Sequence, residues 1–360
     1  MDFEENQDTE QFQPQQENSC EPGFASPPPP APPVPAAAAP PKKRYGWKIF
    51  WGVVITMSIL ANLFMVVMLI VVASFSVGGS SNLFNEGIIE KGSSGSKIAV
   101  IRLEGIINEE MSREIHKQID LAAKDNSVKA VILRTITPGG GVGASDRIHH
   151  KISEFRTKTK KPVVAFMQTV AASGGYYTSV ACDKIVAEPT VITGSIGVMF
   201  NHFVIKGLFE EKLGIVPVEV KSGPKKNWPS PFNETTEEEK EYLMTKLIAP
   251  AYERFISLVA DGRSELDLAE VRNLADGSIY GAPEALEKKL IDKVGYLASA
   301  IAEAESLAGI KNAKVIEYER PFRLSSMLNS QGKSILKMDS ETLREMSAPQ
   351  LLYLWDAGWK

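Results

Sequence analysis

The sequence predicts an α/β protein of stacked β-α units around a mostly parallel sheet, preceded by a single N-terminal transmembrane helix. Three observations carry that expectation. From Lys97 onward, short apolar strand-like runs alternate with amphipathic helical stretches. Residues 49–85 contain no charged side chain. Ser173 stands between an apolar run and a helix-forming one, in Ala171-Ala172-Ser173-Gly174-Gly175-Tyr176-Tyr177.

Residues 1–41 hold 11 of the 22 prolines amid Gln, Glu and Ala, so residues 1–45 read as an extended, disordered tail. Lys42, Lys43, Arg44 and Lys48 precede the apolar run, and Glu86 is the first charge after it. Basic residues stay on the cytoplasmic side, so residues 46–77 read as a span with the N-terminus inside and the rest exported. The run exceeds the roughly 20 residues a spanning helix needs. Trp47 and Trp51 fit an interfacial belt. Residues 78–96 are rich in Gly and Ser and read as a tether.

Strands are expected over 97–103, 128–135, 162–168 and 184–187, and helices over 109–124 and 146–155. Met111, Ile115 and Ile119 share one helical face, as do Ile148, Ile152 and Phe155. Thr236 three residues before Glu239 is a capping box that opens a long helix, with a kink expected at Pro250. A further helical pair is expected over 267–307, so the folded domain spans 97–312 and a C-terminal extension 313–360.

Composition excludes some functions. The net charge is −4, which gives no global basic field for nucleic acid. The two cysteines, Cys20 and Cys182, fall on opposite sides of the expected membrane, so neither a disulfide framework nor a thiolate metal site is expected. His116, His149, His150 and His202 have no metal-ligand spacing, and no cofactor is expected.

Ser173 at a helix N-terminus would face unpaired backbone N–H groups, as a nucleophile beside an oxyanion site does; a tight turn or helix cap has the same local sequence. Thr137-Pro138-Gly139-Gly140-Gly141 follows a strand's carboxyl end, where α/β sheets bind ligands. Its glycines can turn N–H groups toward a carbonyl, or simply form a turn. For the base, the residues leave open His202 with Asp183, or a lysine from Lys221-Ser222-Gly223-Pro224-Lys225-Lys226-Asn227. A lysine acts as a base only where desolvation or neighbouring cations bring its pKa toward neutrality.

Four motifs in fixed order resemble those of signal peptide peptidase A, a family of membrane-anchored serine-lysine proteases. They are Thr-Pro-Gly-Gly-Gly, Met-Gln-Thr-Val-Ala-Ala-Ser-Gly-Gly-Tyr-Tyr, Thr-Gly-Ser-Ile-Gly-Val and Lys-Ser-Gly-Pro-Lys-Lys, and the resemblance covers about residues 97–298. It implies a ClpP/crotonase-like fold, with Ser173 as nucleophile, Lys226 as general base and Ser195 orienting that lysine. The N–H groups of Gly140 and Gly174 would form the oxyanion hole. It also implies an inner-membrane enzyme with a periplasmic catalytic domain, acting on remnant signal peptides or other hydrophobic peptides. Its homo-oligomeric ring would share each site between subunits. A non-catalytic membrane-tethered scaffold and a peptidase dedicated to one membrane protein are the rival readings. The chain departs from the family in Thr137 for serine, in Lys225 before the assigned base and in Ala282 for glycine.

Residues 349–355 carry four large apolar residues and a tryptophan after a polar stretch with little regularity beyond 339–346. Such a segment is expected to be covered, either packed on its own domain or a neighbour, or lying as an extended strand in the groove.

Overall fold

A computed structural model describes residues 45–77, 84–320 and 350–355. The proline-rich tail, Cys20 and the stretch 339–346 lie outside the described residues. Helix α1 (Tyr45–Val77) is 33 residues of almost unbroken apolar sequence. Within its first 27 residues an 18-residue stretch reaches a mean hydropathy of 2.6 with none buried, and the helix is long and apolar enough to cross a membrane.

The second unit runs β1 (Asn85–Glu90), β2 (Ser93–Glu104), α2 (Glu109–Lys124), β3 (Val128–Thr137), β4 (Gly139–Gly141), α3 (Val142–Thr159), β5 (Val163–Ala172), α4 (Gly174–Ser179), β6 (Lys184–Ala187), β7 (Ile192–Gly194) and β8 (Met199–Asn201). It continues with α5 (Glu237–Leu243), α6 (Ala249–Gly262), α7 (Leu268–Leu274), β9 (Ile279–Gly281), α8 (Ala282–Glu287), β10 (Lys293–Val294), α9 (Leu297–Ala308), β11 (Ala313–Glu319) and β12 (Gln350–Leu354).

The main sheet has the order β1-β11-β2-β3-β5-β6-β10, with β7 beside β5 and β9 beside β7. The pairs from β11 through β10 are parallel, as is β5 with β7. Only the margins, β1 on β11 and β9 on β7, run antiparallel. This is the stacked β-α architecture that the alternation in sequence predicts.

Side chains alternate across the strands into two cores. Ala99, Ile101, Leu103, Val131 and Leu133 join α2, α3 and α6 on one face. Ile98, Val100, Ala130, Ile132 and Phe166 meet Ala300, Ile301 and Ala304 of α9 on the other. Strands buried on both faces read as continuous apolar runs, which is why they were visible in sequence. The helices begin where their caps place them: Asn108 Oδ1 accepts the Met111 N–H at 2.9 Å, and Thr236 and Glu239 close a capping box.

Three local expectations shift. The stretch read as tether contains β1, because Phe84 packs on the Tyr318 ring, centroids 6.5 Å apart, a contact set more than 200 residues away. The helix from Thr236 is interrupted at 244–248 by a wider turn, and Pro250 stands in the first turn of α6, where a missing N–H costs nothing. The first seven residues of the C-terminal extension form β11, inside the sheet between β1 and β2.

Asp292 ties α6 to the sheet. It accepts from Arg263 Nη1 at 2.8 Å, from the Ile185 N–H at 2.7 Å and from Lys184 Nζ at 3.0 Å. The Arg263 side chain is only 9 % exposed. Removing the carboxylate strands a buried guanidinium, so Asp292→Ala is expected to lower unfolding free energy by about 3 kcal/mol in chemical denaturation.

Candidate active site

Strand β5 ends in a turn that isolates one serine. Ser173 has φ 51° and ψ −110°, a strained conformation for a residue with a side chain. Its N–H donates to Gly194 O and its C=O accepts the Tyr177 N–H, both at 2.8 Å, so strand becomes helix within one residue. Ser195 follows β7, the parallel partner of the end of β5, and it too has positive φ, 48°. Both serines are buried, and both line one cavity of about 420 Å³ with Met199, Tyr252, Gly277 and Leu354.

The glycine loop is organised by Ile107. The Ile107 N–H donates to Gly139 O at 2.9 Å, and the Gly141 N–H donates to Ile107 O at 2.8 Å. Successive peptide groups of an extended strand point to opposite sides, so the N–H and C=O of Gly140 face away from Ile107. Thr137 serves the same loop: its Oγ1 accepts the Gly139 N–H at 3.0 Å, so the departure from serine keeps a working hydroxyl.

Strand β12 fills the side that Gly140 faces. It runs antiparallel between β4 and β8, with Tyr353 opposite Gly140 and Leu352 opposite both Gly141 and Met199. The Trp355 N–H donates to Pro138 O at 2.8 Å. Hydrogen-bonded pairs alternate along an antiparallel ladder, so Tyr353 and Gly140 form the next such pair. Gly139, at φ +110°, has no room for a side chain: a Cβ there would lie 2.0 Å from Tyr353 O and 2.8 Å from Gly174 N. The Tyr353 carbonyl therefore lies against the Gly140 and Gly174 backbone. The tail is an extended strand between β4 and β8 and is also packed on its own domain through Tyr353, so each of the two expectations holds in part.

Sequence reasoning missed what holds this strand. Tyr353 is fully buried; its ring stacks on Tyr177 at 4.7 Å and meets Phe255 at 4.9 Å, and its hydroxyl donates to Ala251 O at 2.8 Å. Only the apolar character of the tail signalled it. Ser145 was also missed: its Oγ is buried without a partner and stands 2.7 Å from where a Gly174 Cβ would be.

The structure thus joins Ser173, Ser195, Gly140 and Gly174, and leaves Lys226 apart. Lys226 sits in the short helical turn Pro224–Asn227, exposed and outside the cavity of the two serines. Its neighbour Lys225 lies 4.8 Å from the Trp228 and Tyr242 ring centroids and 3.4 Å from Glu238. Lys221 donates to Asn227 Oδ1 at 2.7 Å. The histidine route closes: His202 pairs with Thr235 at 2.8 Å, while Asp183 holds Arg156 and the Val163 N–H. Val163 opens β5 and Ser173 follows its end, about 30 Å away at the rise of a ten-residue strand. Among the described residues no group of three His, Cys, Asp or Glu side chains could hold a metal ion.

Residues 155–311 match the profile of peptidase family S49. An Enterococcus faecium protein that carries the name SppA is 35 % identical over 250 residues, 66 % of this chain and 72 % of that one. Protease 4 of Haemophilus influenzae is 34 % identical over 229 residues, covering 62 % of this chain and 36 % of its own length. The chloroplastic serine protease SPPA of Arabidopsis thaliana is 32 % identical over 258 residues, 68 % of this chain and 38 % of that one.

His149, beside the site, gives it a pH limit. Its ring meets Tyr177 edge-on at 5.4 Å. Burial lowers its pKa to about 4 against the pull of Asp146, and Arg254, His150 and Arg156 add to the lowering. The unfolded chain titrates near 6.5 and so binds more protons between the two values. Stability is whole above about pH 6.5 and is expected to fall by up to about 3 kcal/mol as the pH drops through 4. Denaturation curves across this range should show the loss, and His149→Gln should flatten it.

Proposed function

Because the chain belongs to peptidase family S49, a family of serine peptidases, we propose that it is a membrane-anchored endopeptidase whose nucleophile is Ser173 and whose general base is Lys226 of a neighbouring copy. The observation that carries this reading is the carbonyl of an extended strand laid against Gly140 and Gly174, beside a strained, buried serine. In the reaction Ser173 Oγ attacks the peptide carbonyl and the two N–H groups hold the oxyanion. The base takes the serine proton and returns it to the leaving amine, and Ser195 orients the base. Water then releases the acyl group.

Two features support a base from a second copy. Lys226 stands outside its own chain's serine cavity. The segment leading to it, residues 203–220, exposes Phe203, Leu213, Val216, Val218 and Val220, the last two at 85 % and 97 %. Apolar side chains so bare on an exported domain call for a covering surface, and a second copy that buries them also removes water from the lysine. In the cell the substrates are hydrophobic peptides at the bilayer, remnant signal peptides above all. The anchor α1 would hold the enzyme in the cytoplasmic membrane, N-terminus inside and catalytic domain on the far side.

Hydrolysis of synthetic signal peptides by the full-length chain tests the reading. Ser173→Ala and Lys226→Ala are each expected to remove nearly all activity, and the double variant to be little worse than either. Mixing the two single variants in a head-to-tail ring is expected to restore about a quarter of the sites, since that share of junctions pairs an intact serine with an intact lysine. No recovery in mixed oligomers verified by mass would place a complete site in each chain. Unchanged cleavage by Ser173→Ala would remove Ser173 as the nucleophile, and no cleavage by the wild-type chain would leave the scaffold reading.

A further inference from the structure

Helix α3 carries four hydroxyl side chains, and one behaves unlike the rest. Ser153, Thr157 and Thr159 each donate to the carbonyl four residues back, at 2.8 to 3.0 Å. That is the ordinary outcome for a hydroxyl inside a helix. Ser145, in the first turn, makes no such bond. It is fully buried, and among the described residues its Oγ has no hydrogen-bond partner. A buried hydroxyl without a partner weakens a fold, and alanine would fill the same place without that penalty. Packing alone therefore gives no reason for a serine here.

The surroundings of Ser145 Oγ supply one. A Cβ built on Gly174 would meet Ser145 Oγ at 2.7 Å, Tyr353 O at 3.1 Å and Gly139 Cα at 3.2 Å. The unpaired hydroxyl and the carbonyl of the strand in the groove thus border the same small space on the flank of Gly174. The two donors already assigned to that carbonyl, the N–H groups of Gly140 and Gly174, are backbone groups of fixed direction. A serine hydroxyl differs, because its hydrogen turns about the Cβ–Oγ bond toward the strongest acceptor in reach. A planar carbonyl is a neutral acceptor. Once a nucleophile has added, the same oxygen is an anion, and hydrogen bonds to an ionised acceptor are about twice as strong. Only contacts that strengthen between ground state and transition state accelerate a reaction. A donor left unpaired beside the hole meets that condition, since it has no bond to give up and one to form.

We propose that Ser145 is a third donor of the oxyanion hole, its hydroxyl unpaired against a planar carbonyl and donating to the oxygen after Ser173 has attacked. The inference rests on the serine-peptidase reading above and adds a side chain to a hole otherwise made of backbone. In the step, a bond forms between Ser173 Oγ and the carbonyl carbon, the C=O π pair moves onto the oxygen, and the serine proton passes to the base. The three donors hold the charged oxygen. When the pair returns, the C–N bond breaks and the leaving nitrogen takes the proton from the base.

The test compares wild type, Ser145→Ala and Ser145→Cys in the full-length chain. It reads kcat and KM on a synthetic signal peptide, and inhibition by a peptide aldehyde ending in leucinal beside the corresponding alcohol. The aldehyde adds the Ser173 oxygen and sets a tetrahedral oxygen in the hole; the alcohol cannot. Ser145→Ala is expected to lower kcat about a hundredfold with KM within about twofold. It is also expected to weaken the aldehyde at least tenfold and leave the alcohol unchanged. Ser145→Cys, with a weakly donating thiol, is expected to fall between, and it carries the same comparison should the alanine form not fold. The thermal midpoint of Ser145→Ala is expected to hold or rise, because the group removed had no partner. Equal weakening of aldehyde and alcohol, or a kcat loss that tracks a lowered midpoint, makes Ser145 a packing residue and overturns the proposal. Wild-type turnover and aldehyde affinity in Ser145→Ala overturn it too, and in each of these cases the peptidase reading stands. A wild-type chain that cuts nothing and binds aldehyde and alcohol alike removes both.

Discussion

Ile107 takes both hydrogen bonds that Gly139 and Gly141 have to offer on one side, and by doing so turns Gly140 outward. The groove depends on this small parallel bridge. Its binding edge is a backbone edge, made of peptide groups already fixed before any partner strand arrives. Preorganised N–H groups need no rearrangement when charge develops on a carbonyl, which is the larger part of what such a site can contribute. The bridge also explains the glycine at 140, where a Cβ would lie 2.2 Å from Ile107 O.

The same economy of means places the serines. β5 pairs with β6 along its first half and with β7 along its second, so the sheet forks as it reaches Ser173. The fork brings the ends of two parallel strands, and with them Ser173 and Ser195, to one cavity. Both residues hold positive φ. That strain sits on strands buried on both faces, which are rigid enough to hold it.

How much of this was legible follows from the range of each contact. Continuous apolar strands, capping residues and the order of the glycine and serine motifs are local signals, and each named its element nearly to the residue: α2 at 109–124 and β6 at 184–187 are examples. Ser173, Ser195, Gly140 and Gly174 were reachable for the same reason, since each belongs to a compact motif. What escaped depends on distant partners. β1 exists because of β11, more than 200 residues later. The role of Tyr353 exists only because Tyr177, Phe255 and Ala251 converge from two helices. The apolar run at 349–355 marks a segment to be covered, but nothing local says which of its side chains enters the core.

Tyr353 stacks within the same cluster of apolar residues that holds Phe255, Ile256 and Val259. A fold usually closes its core once, with its own residues. Here one core side chain, Tyr353, comes from β12, a strand outside the main sheet. Whatever occupies that place then contributes to the stability of the whole domain, because a ligand that binds only the folded state raises its unfolding free energy with concentration.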